Sequence, residues 1–376
     1  MISIKQKGFI MKDTISNSKM IMSAFNVKGE CVSCEKYGEG HINETYKVIM
    51  ADNGVEKPYI LQKINNKIFT NVDQLMSNIQ GVTDFARNKI IERGGDPDRE
   101  SLTLILTKDG KPYYFDGEGY YRVFIFIDKT VAIQRPESAQ IFASSAYAFG
   151  KFANLLAEYP ADKLFETIPN FHNTVDRYEK FLTAVKADVC GRASSVQEQI
   201  KFVMDRKDYC SRITSLLDSK KMPIRVTHND TKLNNVLFDE SSLSAIAVID
   251  LDTIMSGSVC YDFGDAIRFG CNTGAEDEPD LTKVNFDIDL FKAYVKSYLL
   301  ALGDGITQIE KDMLAFSAIL LTFECGMRFL TDYLSGDTYF KIHRENHNLD
   351  RTGTQFKLVS DMEKVLDKME EIVRSC

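Results

Sequence analysis

The sequence predicts an α+β fold in two lobes, and two observations carry that reading. From about residue 30 to 127, short β-branched and aromatic segments alternate with Gly, Asn and Asp turns. After residue 135, apolar residues recur at helical spacing instead. The expected organisation of the 376 residues is an N-terminal extension at 1–29, a strand-rich lobe at 30–127 and a helix-rich lobe at 128–376. A binding cleft is expected near 125–130, where the character of the chain changes.

The first lobe reads as strands at 31–37, 45–51, 59–64, 102–107, 111–115 and 120–127. One helix interrupts them. Asn71 is a good cap residue, and Val72, Leu75, Met76 and Ile79 then fall on one face. In the second lobe Pro136 suits a first helical turn, and 139–156 carries Ile141, Phe142, Ala146, Phe149 and Phe152 at helical spacing. Further helices are expected at 174–188, 196–218, 286–302, 307–334 and 356–374. Three short strands, at 224–227, 235–238 and 245–250, break the helical series.

Composition excludes several function classes. Hydrophobic residues make up 44% and charged residues 27%, as in ordinary globular proteins. The formal net charge of -8 argues against nucleic acid or an anionic membrane as the main partner. No apolar run is read as approaching the roughly 18 residues of a spanning helix. The first twenty residues interrupt their apolar positions with Lys and Asp, unlike a signal peptide, so a cytoplasmic protein is expected. Of the eight cysteines only Cys31 and Cys34 stand close together, and no second pair or His cluster completes a zinc site. They read as two reduced thiols on a strand.

The chemistry is concentrated in VTHNDTKLNNVLF, residues 226–238. Asp230 and Asn235 are five apart, with His228 two before the Asp, close to the H-x-D-x-x-x-x-N loop of phosphoryl transfer. A carboxylate there can accept or orient the proton of an attacking hydroxyl. A side-chain amide on the same loop can bind Mg²⁺ without adding negative charge. Twenty residues on, the apolar strand ends in Asp250, suited to a second metal contact bridging nucleotide phosphates. Lys232 is placed to reach the transferring phosphoryl oxygens.

Asp262-Phe263-Gly264 spells a kinase marker, but it lies too far along and follows a Gly/Ser loop. Asp262 and Asp265 are instead expected to cap a helix through 266–268 and brace the site. Upstream, Gly38 and Gly40 separate two strands and permit close backbone approach to phosphates. Taken alone that G-x-G is an ordinary hairpin turn. It gains weight from 59–63, where Gln62 or Lys63 could meet the nucleotide. Alternation leaves the choice open; charge favours Lys63. No GxxxxGK[ST] is present, which disfavours a P-loop enzyme.

These residues resemble the aminoglycoside-phosphotransferase-like kinases, and specifically the N-acetylhexosamine 1-kinases. The block HNDTKLNNVLFD…AVIDLDTIMSGSVCYDFGDAIRFG carries most of the likeness. YGEGHINETY, YILQKIN, YRVFIFI, ETIPNFHNT and RFLTDYLSGDTYFKI add to it in the same order, from about residue 30 to 360. The resemblance implies a bilobal protein-kinase-like fold, with ATP in the cleft and Mg²⁺ as cofactor. It implies transfer to the anomeric hydroxyl of N-acetylglucosamine or N-acetylgalactosamine, in amino-sugar salvage. Asp230 would be the base, Lys232 a phosphate contact, and Asn235 and Asp250 the metal ligands. The sugar would meet His41, Asn43, Phe269, Arg328 and Tyr339, with Arg122 a weaker candidate. One departure stands out: no helix Glu is identifiable as a partner for Lys63.

Two other readings share these motifs. A same-fold kinase could take an aminoglycoside, choline or homoserine, since fold does not fix the acceptor; the run Glu276-Asp277-Glu278 could attract a cation, although such a run reads first as a solvated loop. A nucleotide-binding scaffold without activity is disfavoured by intact Asp230, Lys232, Asn235 and Asp250. The sequence leaves the epimer preference, ATP against GTP, and the oligomeric state open.

Overall fold

The computed structural model describes residues 17–38 and 42–376. The chain forms two compact units: one runs to Thr130 and takes back Ala247–Asp252, and the other holds Val131–Ile246 and Thr253–Cys376.

In the first unit, β1 (Glu30–Lys36), β2 (Glu44–Asp52) and β3 (Val55–Ile64) form an antiparallel meander. Helix α1 (Val72–Glu92) follows, then β4 (Leu104–Ile105), β5 (Tyr114–Phe115) and β6 (Tyr120–Ile125). Among the described residues the sheet order is β1-β2-β3-β6-β4, with β5 also paired to β6. The cap reading holds: Asn71 Oδ1 accepts from Gln74 N at 3.1 Å, and α1 buries Val72, Leu75, Met76 and Ile79. The expected strands at 102–107 and 111–115 shrink to two residues each, because hydrogen bonds around Thr107 close a turn there instead.

One sheet face carries the apolar cluster of Ile21, Phe25, Cys31, Cys34, Tyr59, Leu61 and Tyr121. Cys31 and Cys34 are three apart yet both buried, which strict alternation forbids; a bulge between Cys31 and Ser33 shifts the register. Both are free thiols, and Ser18 Oγ donates to Cys34 Sγ at 3.0 Å.

β7 (Thr130–Ala132) leads into the second unit, and α2 (Ala139–Leu155) starts from a Ser138 cap, leaving Pro136 outside the helix. After α3 (Thr174–Ala187), the single helix expected at 196–218 is instead α4 (Gln197–Met204) and α5 (Arg212–Asp218), parted by a turn at Lys207–Tyr209. Strands β8 (Arg225–Thr227), β9 (Val236–Asp239), β10 (Ala245–Val248) and β11 (Met255–Gly257) follow, with β11 antiparallel to β8. Five helices close the chain: α6 (Val259–Gly270), α7 (Ile288–Leu302), α8 (Gln308–Leu334), α9 (His347–Lys364) and α10 (Leu366–Ser375). The last two replace the one helix expected at 356–374.

Helix α8 corrects the expectation about apolar runs. It is long and apolar enough to cross a membrane, but 83% of its apolar window is buried inside the protein. It is the core helix of the second unit, packed by α6, α9, α3 and α10. Glycines permit the tightest crossings. A Cβ at Gly264 of α6 would collide with the Ser317 carbonyl, and one at Gly326 would stand 2.7 Å from the Phe356 ring.

Candidate active site

The loop after β8 is built by carboxylates from α6. The Asp262 carboxylate accepts from the backbone N–H of His228 at 2.9 Å and of Asn229 at 2.7 Å. Asp265 accepts from the Thr231 N–H at 3.0 Å. Both lie inside α6, whose cap is Ser258, so they are not the helix caps the sequence suggested. Their bracing role is direct all the same. Asn229 is left-handed, with φ +63°, and its amide nitrogen donates to the Thr253 carbonyl at 2.8 Å. Thr253 Oγ1 in turn donates to the His228 carbonyl at 2.6 Å.

His228 is fully buried, edge-on to Phe149 and Phe152 of α2. Its Nδ1 accepts from the Asp230 N–H at 3.3 Å, so the imidazole shapes the loop. Asp230 is then held on both sides. Asn235 Nδ2 donates to its carbonyl at 2.8 Å and to Oδ2 at 3.1 Å, while Lys232 Nζ lies 3.1 Å from Oδ1. With its nitrogen committed, Asn235 turns its side-chain oxygen away as a hard donor. That donor chemistry fits Mg²⁺, which is held by one or two carboxylates and substrate phosphates.

A second cluster stands on α8. Glu324, 1% exposed, accepts from Thr174 Oγ1 at 2.6 Å and pairs with His172 Nδ1 at 2.8 Å. One turn later the Arg328 guanidinium lies 5.6 Å from the Phe171 ring, 6.0 Å from Tyr339 and 5.5 Å from Phe340. Among the described residues Arg328 makes no hydrogen bond and no ion pair. Asp332 organises the turn that brings the rings in, accepting from the N–H groups of Thr338, Tyr339 and Phe340 at 2.8–2.9 Å. Phe269 is half-buried in the last turn of α6, beside Arg268.

Burial and charge set the carboxyl groups against each other. Burial raises Asp262, despite His228 and the two amides. Burial also works to raise Asp265 and Glu324, but Arg268 beside the first and His172 beside the second outweigh it and leave both low. At the surface, the hydrogen bond from Arg344 leads in holding Asp277 low. For the three lowered groups the unfolded chain binds more protons below the ordinary carboxyl values of about 4, so their stabilisation is present above that pH and lost below it. Asp262 has the opposite sign and acts above about pH 4. Urea midpoints should therefore fall between pH 5 and 3.5, and Glu324→Gln should lose less of its midpoint than the native chain does.

In the first unit the structure separates the two nucleotide candidates of β3. Gln62 pairs in register with Arg122 of β6, and Arg122 Nε donates to Gln62 Oε1 at 2.9 Å. Lys63 points to the opposite face, its Nζ 5.8 Å from the Tyr121 ring. Gln62 thus lies on the side of α1 and Asp252, and Lys63 on the face of the apolar cluster. Arg122, the weaker sugar candidate, is 2% exposed and ion-paired to Asp252 at 2.5 Å. The Asn43 amide is likewise committed, its nitrogen to Asp252 and its oxygen to the Asn65 N–H. Asp250, in the same unit, is exposed with φ +61°. Gly38, two residues past β1, has φ +75°, a conformation that favours glycine. Gly40 and His41 lie outside the described residues.

Sequence reasoning missed His172, Glu324, Asp332 and Asp252. His172 in ETIPNFHNT, Asp332 in RFLTDYLSGDTYFKI and Asp252 in AVIDLDTIMSG all lie in stretches that carried the resemblance; Glu324 had no such signal.

The loop that holds a carboxylate, an amide and a lysine thus stands on a chain with an α+β, protein-kinase-like fold. The phosphotransferase enzyme family, APH, matches residues 33–294, and the chain belongs to that family. Solved structures share the fold at low identity. An aminoglycoside phosphotransferase from Alicyclobacillus acidocaldarius is 12% identical, with a TM-score of 0.60 over 95% of this chain and 96% of its own. A choline kinase from Cryptosporidium parvum is 15% identical, with a TM-score of 0.57 over 98% and 99%. A spectinomycin phosphotransferase, in complex with ADP and spectinomycin, is 13% identical at 0.57 over 95% and 98%.

Proposed function

We propose that the chain transfers the γ-phosphoryl of ATP to the anomeric hydroxyl of an N-acetylhexosamine, giving the sugar 1-phosphate for amino-sugar salvage in the cytoplasm. Residues 30–127 serve the nucleotide, and 128–376 the catalysis and the sugar. Asp230 takes or orients the C1 hydroxyl proton as the bond from that oxygen to phosphorus forms and the bond to ADP breaks. Lys232 meets the charge shared on the phosphoryl oxygens. Asn235 and Asp250 supply the oxygens for Mg²⁺, which neutralises charge on the phosphates when bound.

The observation that favours a neutral acceptor is Arg328, whose guanidinium is framed by Phe171, Tyr339 and Phe340. Arg177 stands near enough to Arg328 to be lowered by it, after burial. A choline or aminoglycoside cation would meet two like charges there, whereas sugar oxygens meet donors and ring faces. The acidic run that could have drawn a cation is already paired: Glu276 with Arg268 at 2.9 Å, Asp277 with Arg344 at 2.8 Å, and Glu278 with Lys283 at 3.6 Å.

The test is a product assay with ATP, Mg²⁺ and a panel of free sugars, aminoglycosides and choline, read by phosphorus NMR. A phosphate on the anomeric carbon of an N-acetylhexosamine is expected. Transfer only to a cationic acceptor would discard the substrate assignment and keep the kinase. Arg328→Ala should raise the KM for the sugar at least about tenfold, the size of one lost charged hydrogen bond, and leave the KM for ATP unchanged.

A further inference from the structure

We infer that Arg122 is a positioning residue for the turn that carries Asp250, acting through Asp252, and that Lys63 has no part in it. The inference rests on the reading of Asp250 as a divalent-cation ligand.

Arg122 and Asp252 are 130 residues apart in sequence, yet form a buried pair with side chains 2% and 4% exposed. A buried pair of this kind is weak evidence for net stability, because desolvation offsets its attraction. What it does supply is a fixed position. Arg122 sits in the middle of the sheet, tied to Gln62 on β3 and over the Phe124 ring at 5.3 Å. Asp252 is held from the other side by Asn43, whose own oxygen is anchored to the Asn65 backbone. The chain from Leu251 to Thr253 is a single 3₁₀ turn.

Asp250 precedes that turn in the left-handed region, a conformation that costs an L-residue about 1 kcal/mol or more unless its surroundings hold it. Fixing Asp252 two residues on, with Leu251 buried at 3% between, leaves the Asp250 carboxylate exposed in one orientation. In protein kinases a strand Lys paired with a helix Glu sits on this side of the sheet. Here the strand position facing α1 is Gln62, Lys63 faces away, and the fixed positive charge comes from the neighbouring strand. This also answers why no helix Glu could be matched to Lys63.

The experiment measures ADP binding by calorimetry across a MgCl₂ series, with the melting temperature of each variant recorded. Arg122→Met/Asp252→Leu removes the buried pair without leaving a lone charge, and Arg122→Lys keeps the charge but loses the fork that spans Gln62 and Asp252. Both should melt within a few degrees of the native chain yet require at least about tenfold and threefold more Mg²⁺, respectively, as expected for a loosened ligand. Lys63→Met should stay within twofold. A native Mg²⁺ requirement in Arg122→Lys, or a shift as large in Lys63→Met, would overturn the inference. Asp250→Asn separates the two levels: if it too keeps the native requirement, the cation assignment itself fails, and if it alone shifts, only the role of Arg122 falls.

Discussion

Asp230→Asn should fold, bind nucleotide and lose phosphoryl transfer by about 10²- to 10⁴-fold, the range for removing a positioned proton acceptor. The geometry isolates the effect. Asp230 is partly exposed and takes no part in holding the loop through its carboxylate, apart from the contacts with Asn235 and Lys232. An amide at that position keeps the size and one acceptor oxygen, but it cannot take a proton from the acceptor hydroxyl. Single-turnover transfer of labelled phosphate, with the melting temperature as control, checks it. Near-native turnover would remove Asp230 from the reaction.

Asp262→Ala should act on the fold, and the loss should be large. Two buried N–H groups, those of His228 and Asn229, would lose their acceptor, at about 1–3 kcal/mol each. A total of about 2–6 kcal/mol is expected in urea unfolding, together with loss of turnover as the 228–231 backbone is released. Asp262→Asn, which keeps one acceptor oxygen, should cost roughly half. If Asp262→Ala unfolds within 1 kcal/mol of the native chain, other groups hold the loop.

These two carboxylates show how far the sequence could be read. Asp230 was legible because its chemistry fixes a local spacing to His228 and Asn235. Asp262 was legible as a brace but wrongly as a helix cap, since its partners are 33 and 34 residues away in sequence. The Arg122–Asp252 pair is more distant still and leaves no local mark. On β3, alternation left open which of Gln62 and Lys63 shares a face with Arg122; the register with β6 puts Gln62 there. Helix α9 begins nine residues earlier than expected because its buried face is polar there, with Asn348, Thr352, Thr354 and Gln355 where an apolar period is sought. The break between α4 and α5 was hidden for the opposite reason. Ile200, Val203 and Ile213 keep an apolar period running across it.

Helix α8 holds Glu324, Arg328 and Asp332 at successive four-residue steps, and α6 holds Asp262 and Asp265. The rings around Arg328 therefore hang from one carboxylate, Asp332, and the 228–231 loop from two others on a different helix. The two turns are thus anchored by separate carboxylates, although α6 and α8 pack closely where Gly264 meets Ser317. On the proposed reading, drift in the 338–340 turn would change which acceptor is bound while the anchors of the 228–231 loop stay in place, a division of labour that would let one scaffold diversify its acceptors.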